Sequence, residues 1–529
     1  MPKQLAGKAA LYVFALFVIS PIIIIIAAWF NGTDQSIWQH FAETILLDLI
    51  INTLVLVIGV GLGVGFLGTF MAWLVVMCEF PGRRLFEWLL FLPFAIPAYV
   101  LAFIFLGVFD FSGSFQSFLR DHTTFHGIDL RDGAWGIILI FSLVFYPYVY
   151  MLARSAFLSQ SVAMLEAGRS LGLSPLGVLW RLSLPLARPA IMAGLALALM
   201  ETLADFGTVS LFNYDTFTTA IYTAWEDFRS LQVAAQMSTL LMLFALVLLA
   251  LERWGRGRAR FNSVQCLSVK PFRLRGGAAW LATGFLSLIV FLSFVLPLVQ
   301  LVIWSWDVIA EEWDARYWLW LRNSLFLGLS AALIVVSGSV LLNMMRRYLL
   351  NRSLSVSFAI RLTTLGYALP GSVLAIGVML LFVQVDQVVR WLNEDWSLYA
   401  STGLAALLMA YFTRFLAVAH GPVESAFDTI TPSITEAARG LGANRRALFG
   451  RVYFPLLRPG LMTAVFMVAV DVMKELPATY LLRPYGWDTL AVRTYELTAE
   501  GLYERAAVPA LMLVLISLLM LLILNNKNK

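Results

Sequence analysis

Apolar runs of ~20 residues, the length an α-helix needs to cross a hydrocarbon layer, recur from one end of this 529-residue chain to the other. Inside a bilayer every backbone N–H and C=O has to be satisfied within the protein, which leaves helices and closed barrels. A barrel would show short segments of alternating hydrophobicity, and none are seen. The chain is 60% hydrophobic and 13% charged, against roughly 25% charged in ordinary soluble domains. These features predict an all-α, polytopic membrane protein. Twelve spans can be drawn, at 11–30, 51–77, 86–109, 134–153, 189–212 and 232–251, then at 280–305, 322–345, 358–383, 399–419, 459–482 and 506–525. The first run is longer than a signal-peptide core of ~7–15 residues and lacks a small-x-small cleavage site after it. It reads as a retained first helix.

The loops between spans alternate in charge. Lys3, Lys8, Arg83, Arg84, an Arg-rich segment at 252–277 and the tail "NNKNK" fall in one set; "AWEDF", "WDVIAEEWD" and "YELTAEGLYE" fall in the other. The positive-inside rule then places both termini and the basic loops in the cytoplasm. The net charge of +5 therefore sorts by membrane side, and no nucleic-acid partner is read from it. Cys78 and Cys266 both fall on the reducing side, so neither a disulfide framework nor a thiolate metal site is expected. His40 and His420 carry no signal.

Two polar, basic stretches interrupt the apolar pattern: "LEAGRSLGLSPLGVLWRLSLPLARPA" (165–190) and "TEAARGLGANRRALFGRVYFPLLRPG" (435–460). Glu166 matches Glu436, Gly172 matches Gly442 and Pro185 matches Pro455, each pair 270 positions apart. The repeat extends to "NTLVL" and "NSLFL", "IPAYVLA" and "LPGSVLA", "TTAIYT" and "TLAVRT". An even number of spans per half gives both copies one orientation, related by an axis along the membrane normal. The chain thus divides into a first unit, 1–251, a basic cytoplasmic linker, 252–277, and a second unit, 278–529. Within each quoted stretch Gly172 and Gly442 suit a helix C-cap in the left-handed region, and Pro185 and Pro455 interrupt helix continuation. Such a knob fits a groove on a partner protein; an amphipathic hairpin on the lipid surface fits the same pattern.

"EAGRSLG…LP" and "EAARGLG…FP" resemble the EAA motif of ABC-importer permeases, with the loops at 158–188 and 428–458. Gly168 stands in place of the second alanine, and Phe454 precedes Pro455 where the motif has leucine. The resemblance implies two tandem six-helix permease (MetI-like) units. It also implies that Glu166, Ala167, Gly168 and Gly172, with Glu436, Ala437, Ala438 and Gly442, dock two copies of a cytoplasmic ABC ATPase subunit. The chain has no G-x-x-x-x-G-K-[ST] phosphate cradle, so ATP would bind the partner subunit, this chain would bind no cofactor and it would not itself be an enzyme. "GVGFLG" (Gly63, Gly65, Gly68) lies inside an apolar span, where glycines let helices approach closely.

Five ionisable groups fall near mid-span: Glu201, Asp205, Asp471, Lys474 and Glu475. Glu201 aligns with Asp471 and Asp205 with Glu475. At four residues apart on one helix the acids of each pair should share a face, and Gly207 and Pro477 just beyond permit local unwinding. An ionised group at mid-bilayer costs at least ~2.5–3.5 kcal/mol on insertion scales, so it should face a partner or a water-filled path. The acids either line a substrate route or are structural, with Lys474 paired to an acid across the interface between halves. An acid-lined route favours a cation, for which hard oxygen ligands are suited.

"METLADFGTVSLFNYDTFTTAIYTAW" and "DVMKELPATYLLRPYGWDTLAVRTYEL" are similar to the fused ferric-iron permeases of ABC importers. This resemblance implies ferric iron as cargo, a periplasmic binding protein that delivers it, and the bacterial inner membrane as location. Permeases for thiamine or oxyanions share the architecture. A proton-coupled secondary transporter would also account for the spans and buried acids, but not for the duplicated loop. His122 and His126, with Asp121, Asp129 and Asp132, form an outer cluster that either touches the metal at handover or is an ordinary polar loop.

Overall fold

The computed structural model describes residues 2–30, 32, 34–110, 113–123, 129–160, 166, 168, 170–256, 272–349, 354–392 and 403–527. Among these, 11 helices are long and apolar enough to cross a membrane, or 12 when one bent pair is counted as a span. The first half contributes α1 (Pro2–Ala27), α2 (Leu46–Met77), α3 (Ala98–Val108), α4 (Trp135–Leu158), α5 (Leu184–Ala204), α6 (Gly207–Leu211), α7 (Phe217–Glu226) and α8 (Leu231–Arg256). The second contributes α9 (Leu296–Glu312), α10 (Ala315–Tyr348), α11 (Gly371–Leu392), α12 (Leu404–Asp428), α13 (Phe454–Lys474), α14 (Pro477–Leu482), α15 (Leu490–Ala499) and α16 (Tyr503–Lys527).

Each half is built on a packed triad, α2–α4–α5 in one and α10–α12–α13 in the other. Small residues set the spacing. A Cβ at Gly63 would stand 2.1 Å from Ser142 Oγ, and one at Gly68 would stand 2.9 Å from the Tyr146 carbonyl. Gly63 and Gly68 of the "GVGFLG" string thus line the seam between α2 and α4, while Gly65 faces Leu195 of α5, as expected of glycines in membrane helices.

The halves interlock. α1 and α8 of the first half pack on α11 of the second, while α9 and α16 of the second pack on α3 of the first. Phe103 on α3 stacks with Trp304 of α9 and Tyr503 of α16 at ring-centroid distances of 6.2 and 6.4 Å. Each third-span helix is thus covered by the opposite half.

The straight third span drawn at 86–109 is corrected by the structure. Helical segments Arg83–Ala95 and Ala98–Val108 meet at 91°. Ile96 precedes Pro97 and is extended (φ −100°, ψ 119°), because a proline ring disfavours helical geometry in the residue before it. Leu369 before Pro370 is likewise extended (φ −99°, ψ 137°), and α11 starts just after it. Helix α8 runs on to Arg256, into the segment expected as linker, and Phe272–Arg273 returns to pair in parallel with Cys78–Glu79. These two-residue strands are the only sheet among the described residues.

Cys78 is buried in that pairing, and burial pushes its thiol up to about 12, only partly opposed by Arg83. The thiolate is the reactive form. Cys78 is therefore expected to resist maleimide in native membranes up to pH 9 and to label after denaturation, as read by mass shift. Cys266 lies outside the described residues.

Candidate functional site

The fifth-span helices do not run to 212 and 482 as drawn. α5 stops at Ala204 and α13 at Lys474, and the next residues, Asp205 (ψ 131°) and Glu475 (ψ 118°), are extended. The chain then turns into the short helices α6 and α14. Pro477, at the start of α14, has no N–H with which to continue the preceding ladder. The expectation that Glu201 and Asp205, or Asp471 and Glu475, share a helix face is corrected accordingly: the helix ends between them.

Asp205 and Glu475 instead cap the new helices. Asp205 Oδ1 accepts from Thr208 N at 2.7 Å. Glu475 accepts from Ala478 N and Thr479 N, both at 2.9 Å, and from the Thr479 hydroxyl at 2.7 Å. A carboxylate at a helix N-terminus satisfies otherwise orphaned N–H groups and meets the positive end of the dipole. Glu475 also receives Arg414 Nη1 at 3.2 Å, and this ion pair is buried. Room for it comes from Gly371, where a Cβ would stand 2.1 Å from Arg414 Nη1 and 2.4 Å from Glu475 Oε1.

Around the two breaks lies a cavity of about 170 Å³, large enough to hold water. Both halves line it: Glu201, Asp205, Tyr99 and Tyr148 from the first, and Tyr367, Arg414, Asp471, Lys474 and Glu475 from the second. Glu201 and Asp471 are half-buried on its wall. Tyr367 donates to Glu201 Oε1 at 3.1 Å, and Lys474 Nζ donates to the Phe94 carbonyl at 2.7 Å, both across the interface between halves. Lys474 does cross that interface, to a carbonyl oxygen rather than to an acid. Beside the breaks, Phe206, Tyr222, Tyr480 and Tyr495 form one aromatic cluster drawn from both halves, with Phe206 stacked on Tyr222 at 3.5 Å. Tyr222 donates to the Pro477 carbonyl at 2.6 Å, and Ser210 and Tyr495 share a hydrogen bond at 2.9 Å.

Arg414 was missed by the sequence reading. Its signal was there, a lone arginine inside "LLMAYFTRFLAVA"; a charge in an apolar span marks an internal partner. Tyr148 and Tyr367 gave no such signal, because tyrosines are common in membrane helices.

At the far ends of α5 and α13 lie the two repeated loops. Gly172 and Gly442 have φ of +84° and +83°. Leu173 N donates to Gly168 O, and Ala443 N to Ala438 O, the 6→1 bond of a Schellman cap. Glu166, Glu436 and Ala437 are exposed, and Ala438 is half-buried; Ala167 lies outside the described residues. At Gly168 a Cβ would stand 2.5 Å from Leu182 Cδ1; the shorter Val452 occupies the position matching Leu182 in the second copy. At each tip a leucine stands out, Leu171 at 84% and Leu441 at 90% exposed.

Of the outer histidines, only His122 lies among the described residues. His122 Nδ1 is 2.9 Å from the Phe118 carbonyl, and its ring stacks on Phe118; His126 lies outside the described residues. Among the described residues no three His, Cys, Asp or Glu side chains are grouped to hold a metal ion.

Because Glu475 holds Arg414 in the membrane interior, Glu475→Ala is expected to destabilise the protein by about 3–5 kcal/mol, the usual cost of stranding one partner of a buried pair. Unfolding of the detergent-solubilised protein measures it.

The profile of the binding-protein-dependent transport system inner membrane component family matches residues 65–256 and 351–526. The chain is 28% identical to the Fe(3+)-transport system permease protein FbpB 2 of Haemophilus influenzae, over 94% of this chain and 93% of that protein. It is 27% identical to a probable sulfate transport system permease protein of Chlorokybus atmophyticus, over 37% of this chain and 68% of the relative. It is also 27% identical to the molybdenum transport system permease protein ModB of Escherichia coli, over 42% of this chain and 94% of the relative.

Proposed function

The chain belongs to the family of binding-protein-dependent transport inner membrane components, and on that basis we propose that it is the translocation subunit through which an ATP-driven importer moves ferric iron across the bacterial inner membrane. Membership in the family sets aside a proton-coupled secondary transporter. The ferric reading is supported by a relative that aligns along nearly the whole fused chain, whereas the sulfate and molybdenum relatives align with less than half of it. The observation that carries it is the cavity between the halves. Arg414 is neutralised by Glu475, and the one remaining ammonium, Lys474, is outnumbered by Glu201, Asp205 and Asp471 on the wall, so the surface offered to cargo is acidic. Two cavity cations are what an oxyanion permease would want, and that is the second reading.

On this proposal, permease units 1–251 and 278–529 are joined by a cytoplasmic linker, both termini are cytoplasmic, and a periplasmic binding protein delivers the ion at the opposite face. The loops at 158–188 and 428–458 engage two ATPase subunits, each through an exposed leucine at a left-handed glycine cap. Glu201 and Asp471 contact the ion in passage. Asp205 and Glu475 hold the helix breaks open. Oxygen ligands in pairs rather than cages suit passage, because an ion must also leave.

Radiolabelled ferric uptake in cells lacking the chain, with and without its return, tests the substrate. Dependence on the chain is expected; no dependence, with competition by sulfate or molybdate instead, selects the oxyanion reading. Gly442→Asp should abolish uptake and ATPase co-purification while the protein stays in the membrane, since a side chain at φ +83° costs about 1–2 kcal/mol of local strain and breaks the cap. Normal co-purification would remove that loop from the docking role. Glu201→Gln with Asp471→Asn should lower uptake at least tenfold, about 1.4 kcal/mol in the transport barrier, with ATPase association intact. Unchanged uptake would make those acids structural.

A further inference from the structure

The two halves differ in charge where α5 and α13 end at the cavity. Where the second half has Lys474 at the end of α13, the first half has Ala204 at the end of α5, 270 positions earlier. The cavity therefore holds one ammonium group, not a symmetric pair. Arg414, the other cation on its wall, is neutralised by Glu475 in a buried ion pair. Lys474 is half-buried and reaches over the interface to the Phe94 carbonyl at 2.7 Å. An ammonium has three donors, and that carbonyl is its one hydrogen-bond partner among the described residues. Asp471 stands one turn earlier on the same helix, and Asp471 and Glu201 line the same cavity as the ammonium.

We infer that Lys474 is a tethered counter-cation that sets the affinity of the cavity for its cargo: seated on the Phe94 carbonyl, the ammonium offsets the charge of Glu201 and Asp471 without blocking them, which weakens the hold on a bound cation and speeds its release. This role rests on the reading of the cavity as a cation path. A flexible four-carbon stem bearing a compact charge suits it, and so does a neutral resting place on the opposite half. Two bare carboxylates at mid-membrane would be costly when empty and slow to release a highly charged ion when full. One resident ammonium relieves both.

The test uses the complete importer in cells, with ATP-driven uptake of radiolabelled ferric iron read as KM and kcat. Lys474→Gln keeps a donor for Phe94 O but removes the charge. It is expected to lower KM and kcat together, each by about fivefold to tenfold, the pattern of a site that binds more tightly and releases more slowly. Lys474→Arg should stay near wild type. Lys474→Gln combined with Asp471→Asn restores the balance of charge and should raise KM above that of Lys474→Gln alone. Unchanged or raised KM in Lys474→Gln overturns the inference. So does loss of both Gln variants from the membrane while Lys474→Arg is retained, because restored charge balance would then have made no difference. The Glu201→Gln/Asp471→Asn variant in the same assay separates the two levels: normal uptake there removes the cation path itself, whereas impaired uptake there with a silent Lys474→Gln removes only the tethered role.

Discussion

The Glu475 carboxylate, gripping two backbone N–H groups, a hydroxyl and the Arg414 guanidinium at once, is the interaction on which the centre of this protein depends. A helix cannot simply stop in a membrane, because its orphaned N–H and C=O groups find no water there. The break after α13 persists because a carboxylate replaces the missing partners and an arginine replaces the missing solvent. Asp205 does the same after α5 with a shorter reach and no arginine. Once both breaks are fixed, the chain can bend away from the axis between the halves, and the space it vacates is the cavity. Gly371 follows from this arrangement: its counterpart in the "IPAYVLA" copy is Ala98, and the first half has no ion pair needing that space.

The duplication is close in backbone and loose in chemistry. Positions 144, 204 and 94 are valine, alanine and phenylalanine in the first half; their counterparts 414, 474 and 367 are arginine, lysine and tyrosine. Every cavity-lining cation is thus on one side, whereas the bonds across the interface run both ways. Lys474 and Tyr367 of the second half donate to the first, and Tyr222 of the first half donates to Pro477 of the second. A fused chain permits this division of labour, since each copy can drift without disturbing its twin. A symmetric dimer of one unit would have to carry two lysines or none.

Much of this was legible in the sequence, for reasons that differ by residue. The span count, the repeat and the left-handed caps at Gly172 and Gly442 follow from period, spacing and glycine chemistry, which are local. The mid-span acids were found because a carboxylate in an apolar run is conspicuous. Their geometry was not, because a four-residue spacing implies a shared face only if the helix continues, and whether it continues depends on Pro477 and on partners distant in sequence. The bend at Pro97 escaped for a related reason: its flanks are apolar enough to look like one straight span. Arg414 was visible but went unread, and its partner lies 61 residues away with no periodic relation to it.

The loops and the acids are joined by continuous helix. Leu179–Ala204 and Leu448–Lys474 each form one unbroken span, so roughly 33 Å of helix, at 1.5 Å per residue, separates Leu179 from Glu201. Each starts with a π-helical stretch, Leu179–Ser183 and Leu448–Tyr453, a wide turn often placed where function requires it. The loops are tied to these bases. Gln160 donates to the Ser183 carbonyl at 2.8 Å, and Arg347 donates to the Ile430 carbonyl at 2.6 Å while lying over the Tyr453 ring. A displacement imposed on either loop is therefore not absorbed at its root. It passes along a stiff rod to the end where Glu201 or Asp471 sits, one turn before the break. There the helix stops, and the short segment beyond it is held by the opposite half through Tyr222 and Tyr495. Because α5 and α13 are members of the packed triads, a displacement of either loop carries its triad with it and changes the separation of the two acids across the cavity.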